Sequence, residues 1–165
     1  GGSLAGSVLQ VVSTTKTDAY SASLAAQTFS SNVTGLTASI TPRSTSSKIL
    51  VTTQVYGAMS NSNYSMVSYR LDRNGTFVGV GDLVGVRPRV TTKSWVVVND
   101  GNAQIGSSAT FLDSPATTST LTYGIQIYNH DPTTATAYIN RNGFISNDRL
   151  DARPISTITL MEVAG

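Results

Sequence analysis

The chain has 165 residues, the length of a single domain, so a second domain of comparable size is excluded. Charged residues make up 12% of the chain and apolar residues 39%, and this low charge content excludes disorder driven by charge. Lys and Arg exceed Asp and Glu by 11 to 9 without a basic block, which argues against a nucleic-acid binder. The absence of cysteine excludes disulfides, thiolate metal sites and cysteine nucleophiles.

We expect the chain to consist of a short N-terminal segment and one folded domain. We expect residues 1–6, which begin Gly-Gly-Ser, to be a linker or a cloning remnant, and residues 7–165 to form a single domain. No stretch reaches the roughly 18 apolar residues of a membrane span, so membrane insertion is not expected.

Hydrophobicity alternates with a period of two along most of the chain, which predicts β-strands. The clearest case is 47–57 (SKILVTTQVYG), where Ile49, Val51 and Val55 share one face. In chain order, the predicted strands are 7–13, the weaker 27–30 and 37–40, then 47–57, 63–73, 76–80, 93–99, 104–113, 118–128, 134–141 and 155–163. Nine of these segments are strong and two are weak, and we expect about eight to ten strands in the fold.

Turn residues separate these segments. Asn74-Gly75 is the pair that best tolerates the positive φ angles of a tight turn, so it predicts a hairpin. Residues 21–26 are the stretch most tolerant of a helix, but their Ser- and Thr-rich surroundings favour a short turn. Many short strands with few helical signals predict an all-β, antiparallel β-sandwich of the jelly-roll kind.

The closing strand, 155–163 (ISTITLMEV), is apolar on both faces in its second half. Ile158 and Leu160 lie on one face, and Met161 lies on the other. A sandwich strand needs one apolar face, so the second is expected to contact a symmetry-related copy. We therefore predict an oligomer seam at Ile158, Leu160 and Met161, with cover by a loop or a helix of the same chain as the alternative.

Five segments carry a resemblance to a known family. They are GSVLQVVSTTKTDAYS (6–21), SITPRSTSSKILV (39–51), YRLDRNGT (69–76), FLDSPATTSTLTYGIQIY (111–128) and ISTITLMEVAG (155–165). The chain resembles, over nearly its whole length, a C-terminal domain of bacteriophage tail-fibre and related virion proteins. More distantly, it is similar to the trimeric jelly rolls of the complement and tumour-necrosis-factor type.

The resemblance implies a homotrimer at the distal end of a fibre, located in the virion after synthesis in the host cytoplasm. Other virion proteins would lie upstream, and exposed loops would bind a polysaccharide or lipopolysaccharide of the host surface. On this basis the expected function is non-enzymatic host attachment. The alternatives are a structural virion trimer without a ligand, in capsid decoration or tail assembly, and a glycan depolymerase.

Catalytic and metal chemistry find little support in the sequence. His130 is the one histidine and lies in a turn, Asn129-His130-Asp131-Pro132, where a solvated turn residue is a simpler interpretation than a catalytic or metal-binding one. No G-x-S-x-G motif is present. The aspartates lie in or beside predicted turns, where Asp is expected for structural reasons. We expect no enzyme, no metal and no cofactor.

Three segments have the composition of sugar-binding loops. Arg87 and Arg89 precede Trp95 and together offer donors and an aromatic face for an acidic or phosphorylated sugar, although a solvated loop and a core tryptophan would explain them too. The polar loops 61–64 and 142–148 each carry an aromatic residue. The candidate ligand-binding residues are Asn61, Asn63, Tyr64, Arg87, Arg89, Trp95, His130 and Phe144.

Overall fold

The computed structural model of the chain describes residues 4–60, 64–97, 103–143, 149 and 151–165. Within these residues the chain forms β-strands and no helix, as the alternating Val, Ile, Thr and Tyr residues predict. The strands are β1 (Val8–Lys16), β2 (Tyr20–Leu24), β3 (Thr37–Ile40), β4 (Lys48–Met59), β5 (Tyr64–Arg73), β6 (Thr76–Val78), β7 (Thr92–Val97), β8 (Ile105–Asp113), β9 (Leu121–Ile127), β10 (Ala135–Ile139) and β11 (Ser156–Val163).

The strands form two antiparallel sheets packed as a sandwich, which confirms the predicted all-β class. The six-stranded sheet has the order β1-β11-β4-β10-β2, with β8 also paired to β4. The five-stranded sheet has the order β3-β9-β5-β6, with β7 also paired to β5. The chain passes repeatedly from one sheet to the other, so most neighbouring strands in a sheet are distant in sequence. Each sheet therefore depends on the other for the pairing of its strands.

The core lies between the two sheets. The six-stranded sheet contributes Ile49, Val51, Val55, Ile158 and Leu160, and the five-stranded sheet contributes Val67, Tyr69, Leu71, Ile125 and Ile127. The Tyr69 hydroxyl hydrogen-bonds to Thr53 Oγ1 at 2.7 Å and donates to the Ser107 carbonyl at 3.3 Å, so it joins the two sheets. Burial raises the pKa of Tyr69 to about 12, although the Thr53 hydrogen bond opposes the shift.

The local predictions have mixed outcomes. The Asn74-Gly75 hairpin is confirmed, with φ angles of 48° and 86° between β5 and β6. The expected turn at 21–26 is wrong, because β2 occupies Tyr20–Leu24 and pairs along its whole length with β10. Residues 27–30 form an isolated bridge between Phe29 and Tyr128 in place of a strand.

Buried and half-buried side chains alternate along the closing strand β11, as predicted. The position of β11 in the sheet decides which of its two faces is internal. Leu160 pairs with Val51 and is fully buried, as is Ile158. One chain therefore buries both side chains in its own core, so we correct their assignment from seam to core. Met161 lies on the opposite, outer face and is half-buried.

Candidate functional site

The outer face of the five-stranded sheet carries an unusual set of side chains for a surface. Along β5, residues Val67, Tyr69 and Leu71 are buried in the core, so the alternate positions turn to the outer face. Direct cross-strand partners share a face, which places Lys93 beside Ser68, Gln126 beside Arg70 and Phe77 beside Asp72. We call this surface the aromatic face; its main side chains are Phe29, Phe77, Trp95 and Tyr128, with Arg70, Lys93 and His130 among them.

Arg70 is at the centre of the aromatic face. Its guanidinium carbon lies 3.6 Å from the ring centroid of Phe29 and 3.2 Å from that of Phe77, and its Nε donates to Gln126 Oε1 at 2.9 Å. Burial lowers the pKa of Arg70 and the nearby Asp72 carboxylate opposes that shift, but an arginine stays charged at neutral pH. The two rings and the amide therefore fix a charged, planar donor in one orientation.

A second group of rings adjoins Arg70. Phe29 and Tyr128 pack with ring centroids 4.6 Å apart, and the His130 ring packs edge-on to Tyr128 at the same distance. Burial, and secondarily the charge of Lys93, lowers the pKa of His130 to about 4. The histidine is therefore neutral at neutral pH and packed against a ring, which differs from the solvated turn residue that its sequence context favours.

The other end of the aromatic face is shaped by a glycine. A Cβ on Gly124 would lie 2.6 Å from Asn32 Cγ, so glycine leaves the space in which the Asn32 amide lies on the sheet. Asn32 Nδ2 donates to Asp72 Oδ2 at 3.2 Å. Among the described residues, four buried atoms around this face have no hydrogen-bond partner, namely Asn32 Oδ1, Ser68 Oγ, Asp72 Oδ1 and His130 Nε2. Buried polar atoms without partners are uncommon in native proteins and are grounds to look for function.

The structure brings some of the predicted binding residues together. Trp95 is the cross-strand partner of Met66 and is 58% exposed, so it is a surface residue and not a core one. The Tyr64 hydroxyl donates to Asp131 Oδ2 at 3.1 Å, which joins the start of β5 to the turn that holds His130. Burial, and then this hydrogen bond, raises the pKa of Tyr64. Asn61, Asn63 and Phe144 lie outside the described residues.

Arg87 and Arg89 lie on a separate exposed loop between β6 and β7. The loop is closed by a hydrogen bond from Gly81 N to the Val90 carbonyl, and Arg89 Nε donates to the Gly81 carbonyl at 2.6 Å. Among the described contacts, none joins either arginine to Trp95. Arg89 therefore stabilises its own loop, and the donors near Trp95 come from Lys93 and the aromatic face instead.

The outer face of the six-stranded sheet differs in composition. Four successive cross-strand partners, Val11, Met161, Leu50 and Leu112, form a line of side chains across β1, β11, β4 and β8. We call this line the apolar row. The next line on the same face is all hydroxyl, namely Ser13, Thr159, Thr52 and Thr110, followed by Thr15, Thr157, Gln54 and Ser108. These three lines contain no charged side chain.

Two buried carboxylates, Asp113 and Glu162, have structural partners. Asp113 accepts hydrogen bonds from Arg73 Nη1 at 2.5 Å and from the Tyr123 hydroxyl at 2.7 Å. Glu162 is fully buried and accepts from Gln10 Nε2 and the Arg43 amide, both at 2.6 Å. Burial raises the pKa of Glu162, but hydrogen bonds from Ser47, Arg43 and Gln10 outweigh it, so the net shift is downward. Asp113 is thus engaged by two donors, and Glu162 is held as an ionised acceptor.

Sequence reasoning missed Phe29, Arg70, Phe77 and Tyr128. Arg70 carried a usable signal, because it interrupts the apolar residues of 63–73 at an outward position.

The described residues contain no cluster of three or more His, Asp or Glu able to hold a metal. Within the same residues, no helix long and apolar enough to cross a membrane is found. No protein-family model matches the chain, and no curated protein matches it.

Proposed function

We propose that the chain is a non-enzymatic attachment domain of a bacteriophage virion, of the tail-fibre type, which binds a glycan of the host surface. The observation that carries the binding role is the aromatic face, where exposed and half-buried rings adjoin the fixed guanidinium of Arg70, the exposed Lys93 and the Gln126 amide. Rings of this kind pack on the apolar faces of sugars, while Arg, Lys and Gln hydrogen-bond to hydroxyl and acidic groups. The virion origin is supported by the resemblance of five segments to tail-fibre domains.

Binding without catalysis is supported by the state of the carboxylates. A glycosidase needs two carboxyl groups facing a sugar, one of them with a raised pKa. Asp113 is instead held by Arg73 and Tyr123, and the pKa of Glu162 is lowered within a closed set of donors. These two buried carboxylates are therefore engaged within the fold, and both lie on the six-stranded sheet, away from the aromatic face.

The test is binding of the purified chain to a panel of capsular polysaccharides and lipopolysaccharides from candidate hosts, read by biolayer interferometry. Trp95→Ala and Tyr128→Ala should each weaken binding about tenfold or more, because each removes one stacking surface. Tyr138→Ala is the matched control, since Tyr138 lies on a strand of the other sheet. Absence of binding to every preparation, or equal loss in the control, would reject the attachment role.

We also infer a jelly-roll connectivity and a homotrimer. The orders β1-β11-β4-β8 and β3-β9-β5-β7 within the two sheets support the first inference. The apolar row supports the second, because a continuous apolar line across four strands favours contact with another copy. Met161 keeps its role as a seam residue, and Val11, Leu50 and Leu112 replace Ile158 and Leu160.

A structural virion trimer without a ligand is the second candidate, and the apolar row supports it equally well. Light scattering and the glycan panel separate the two. A trimer that binds glycans supports attachment, whereas a trimer that binds none and incorporates firmly into a capsid or tail supports the structural role.

A further inference from the structure

Arg70 has donors that its own fold does not use. A guanidinium carries five N–H donors. Among the described residues, Arg70 makes one hydrogen bond, from Nε to Gln126, so its Nη groups have no protein acceptor there. Asp72, the nearest acid along the strand, accepts instead from Asn32 Nδ2 and from the Gly75 amide at 3.3 Å.

The rings of Phe29 and Phe77 determine how these donors can be approached. Both ring centroids lie within 3.6 Å of the guanidinium carbon, so the rings restrict access to the faces of the group and we expect an acceptor to approach in its plane. A planar fork of this kind matches two oxygens of one anionic group. A neutral hydroxyl would use a single donor and gain less.

The charges around Arg70 favour an anion. Lys93 is exposed and lies on the adjoining line of the same face, beside Ser68. His130 is neutral and does not oppose it. Asp72 is the acid on β5 beside Arg70, with Oδ2 hydrogen-bonded and Oδ1 without a partner, and Asp131 beside His130 accepts from the Tyr64 hydroxyl. Arg70 and Lys93 therefore face the single carboxylate of β5.

We propose that the aromatic face selects acidic sugars, with the anionic group bound by the Arg70 fork and the sugar ring packed among the neighbouring aromatic side chains. This inference rests on the proposed glycan-binding function and specifies the class of glycan. The shared chemistry is a carboxylate, sulfate or phosphate carried on a sugar.

The test uses monosaccharide probes and the ¹H–¹⁵N signal of Arg70 Nε, assigned by its loss in Arg70→Gln. Glucuronate, glucose 6-phosphate and glucose 6-sulfate are the anionic probes, and glucuronamide is the neutral isostere of glucuronate. At least one anionic probe should shift the Arg70 signal at millimolar concentration, and glucuronamide should bind about tenfold more weakly because a charge-assisted bidentate contact is lost. Which anionic probe binds distinguishes carboxylate from phosphate and sulfate.

Two variants distinguish bidentate binding by the Arg70 guanidinium from a general attraction to positive charge. Arg70→Lys keeps the charge but loses the fork, so it should lose most of the preference for glucuronate over glucuronamide. Arg153→Gln removes one exposed positive charge elsewhere and should keep the preference. Equal affinity for the acid and the amide, no shift with any anionic probe, or an unchanged preference in Arg70→Lys overturns the inference. If the polysaccharide panel still binds under those outcomes, the attachment role stands with a neutral glycan.

Discussion

The two outer faces of the sandwich have the same pleated backbone and opposite chemistry. On the six-stranded sheet, the apolar row is followed by two lines of small polar residues with no charge. On the five-stranded sheet, rings alternate with Arg70 and Lys93, and buried polar atoms lack partners. An apolar row followed by two lines without charge suits contact with protein, whereas a cationic, aromatic face suits a polar ligand.

The largest effect is expected from introducing a charge on either side of β11. Leu160→Asp places an unpaired carboxylate in the core and removes apolar contacts, so it should cost at least about 4 kcal/mol of unfolding free energy. Met161→Asp, one residue away on the outer face, should leave the fold intact and dissociate the proposed trimer. Urea unfolding and light scattering measure the two effects.

The two variants test separately whether Leu160 lies in the core and whether Met161 lies in the contact between copies. A stably folded Leu160→Asp protein contradicts its assignment to the core. If Met161→Asp leaves the oligomer unchanged, the apolar row is not the contact surface between copies, and the proposed seam lies elsewhere.

Gly124→Ala should disturb the end of the aromatic face where the Asn32 side chain lies on the sheet. The new methyl group would meet the Asn32 amide at 2.6 Å and displace it from Asp72, at a cost of about 1–3 kcal/mol. Adding Asn32→Ala removes the clash, so the double variant should lose less stability than the sum of the two single variants. Additive losses in urea unfolding would show that the contact does not govern this position.

His130 should make stability depend on pH in a defined window. Its pKa is about 4 in the folded chain and near 6.5 when unfolded, so the unfolded chain binds more protons between these values. Stability should therefore fall as the pH drops from 6.5 to 4, by about 1–2 kcal/mol after allowance for the partial exposure of the ring. His130→Gln should remove this part of the slope, measured as the difference between the two proteins at pH 7.5 and 4.5.

The sequence predicted those features that depend on neighbours along the chain. Alternation located β4 and the sandwich class, and Asn74-Gly75 located a hairpin. It missed β2, whose Ser and Ala residues have little strand preference and which exists through its pairing with β10. For β11, alternation separated the two faces correctly, but its register with β4 decided which one is internal.

The aromatic face was harder to predict because its parts are distant in sequence. Arg70 meets Phe29, Phe77 and Gln126, which come from the segment before β3, from β6 and from β9. Trp95 and His130 were identified by residue type alone. Arg87 and Arg89 were grouped with Trp95 because they are close in sequence, but Arg89 binds back to its own loop. Proximity in a β-sandwich follows strand register, and that register involves the whole chain.

The smallest effect on stability is expected at Trp95, where the effect on binding should be large. The side chain is 58% exposed, so Trp95→Ala should change the free energy of unfolding by less than about 1 kcal/mol. Tyr128→Ala, on the same face, should cost more because that ring packs against Phe29 and His130. Urea unfolding of the two variants measures this difference. A large loss of stability in Trp95→Ala would mean that the indole supports the fold, and its contribution to glycan binding would then have to be separated from folding.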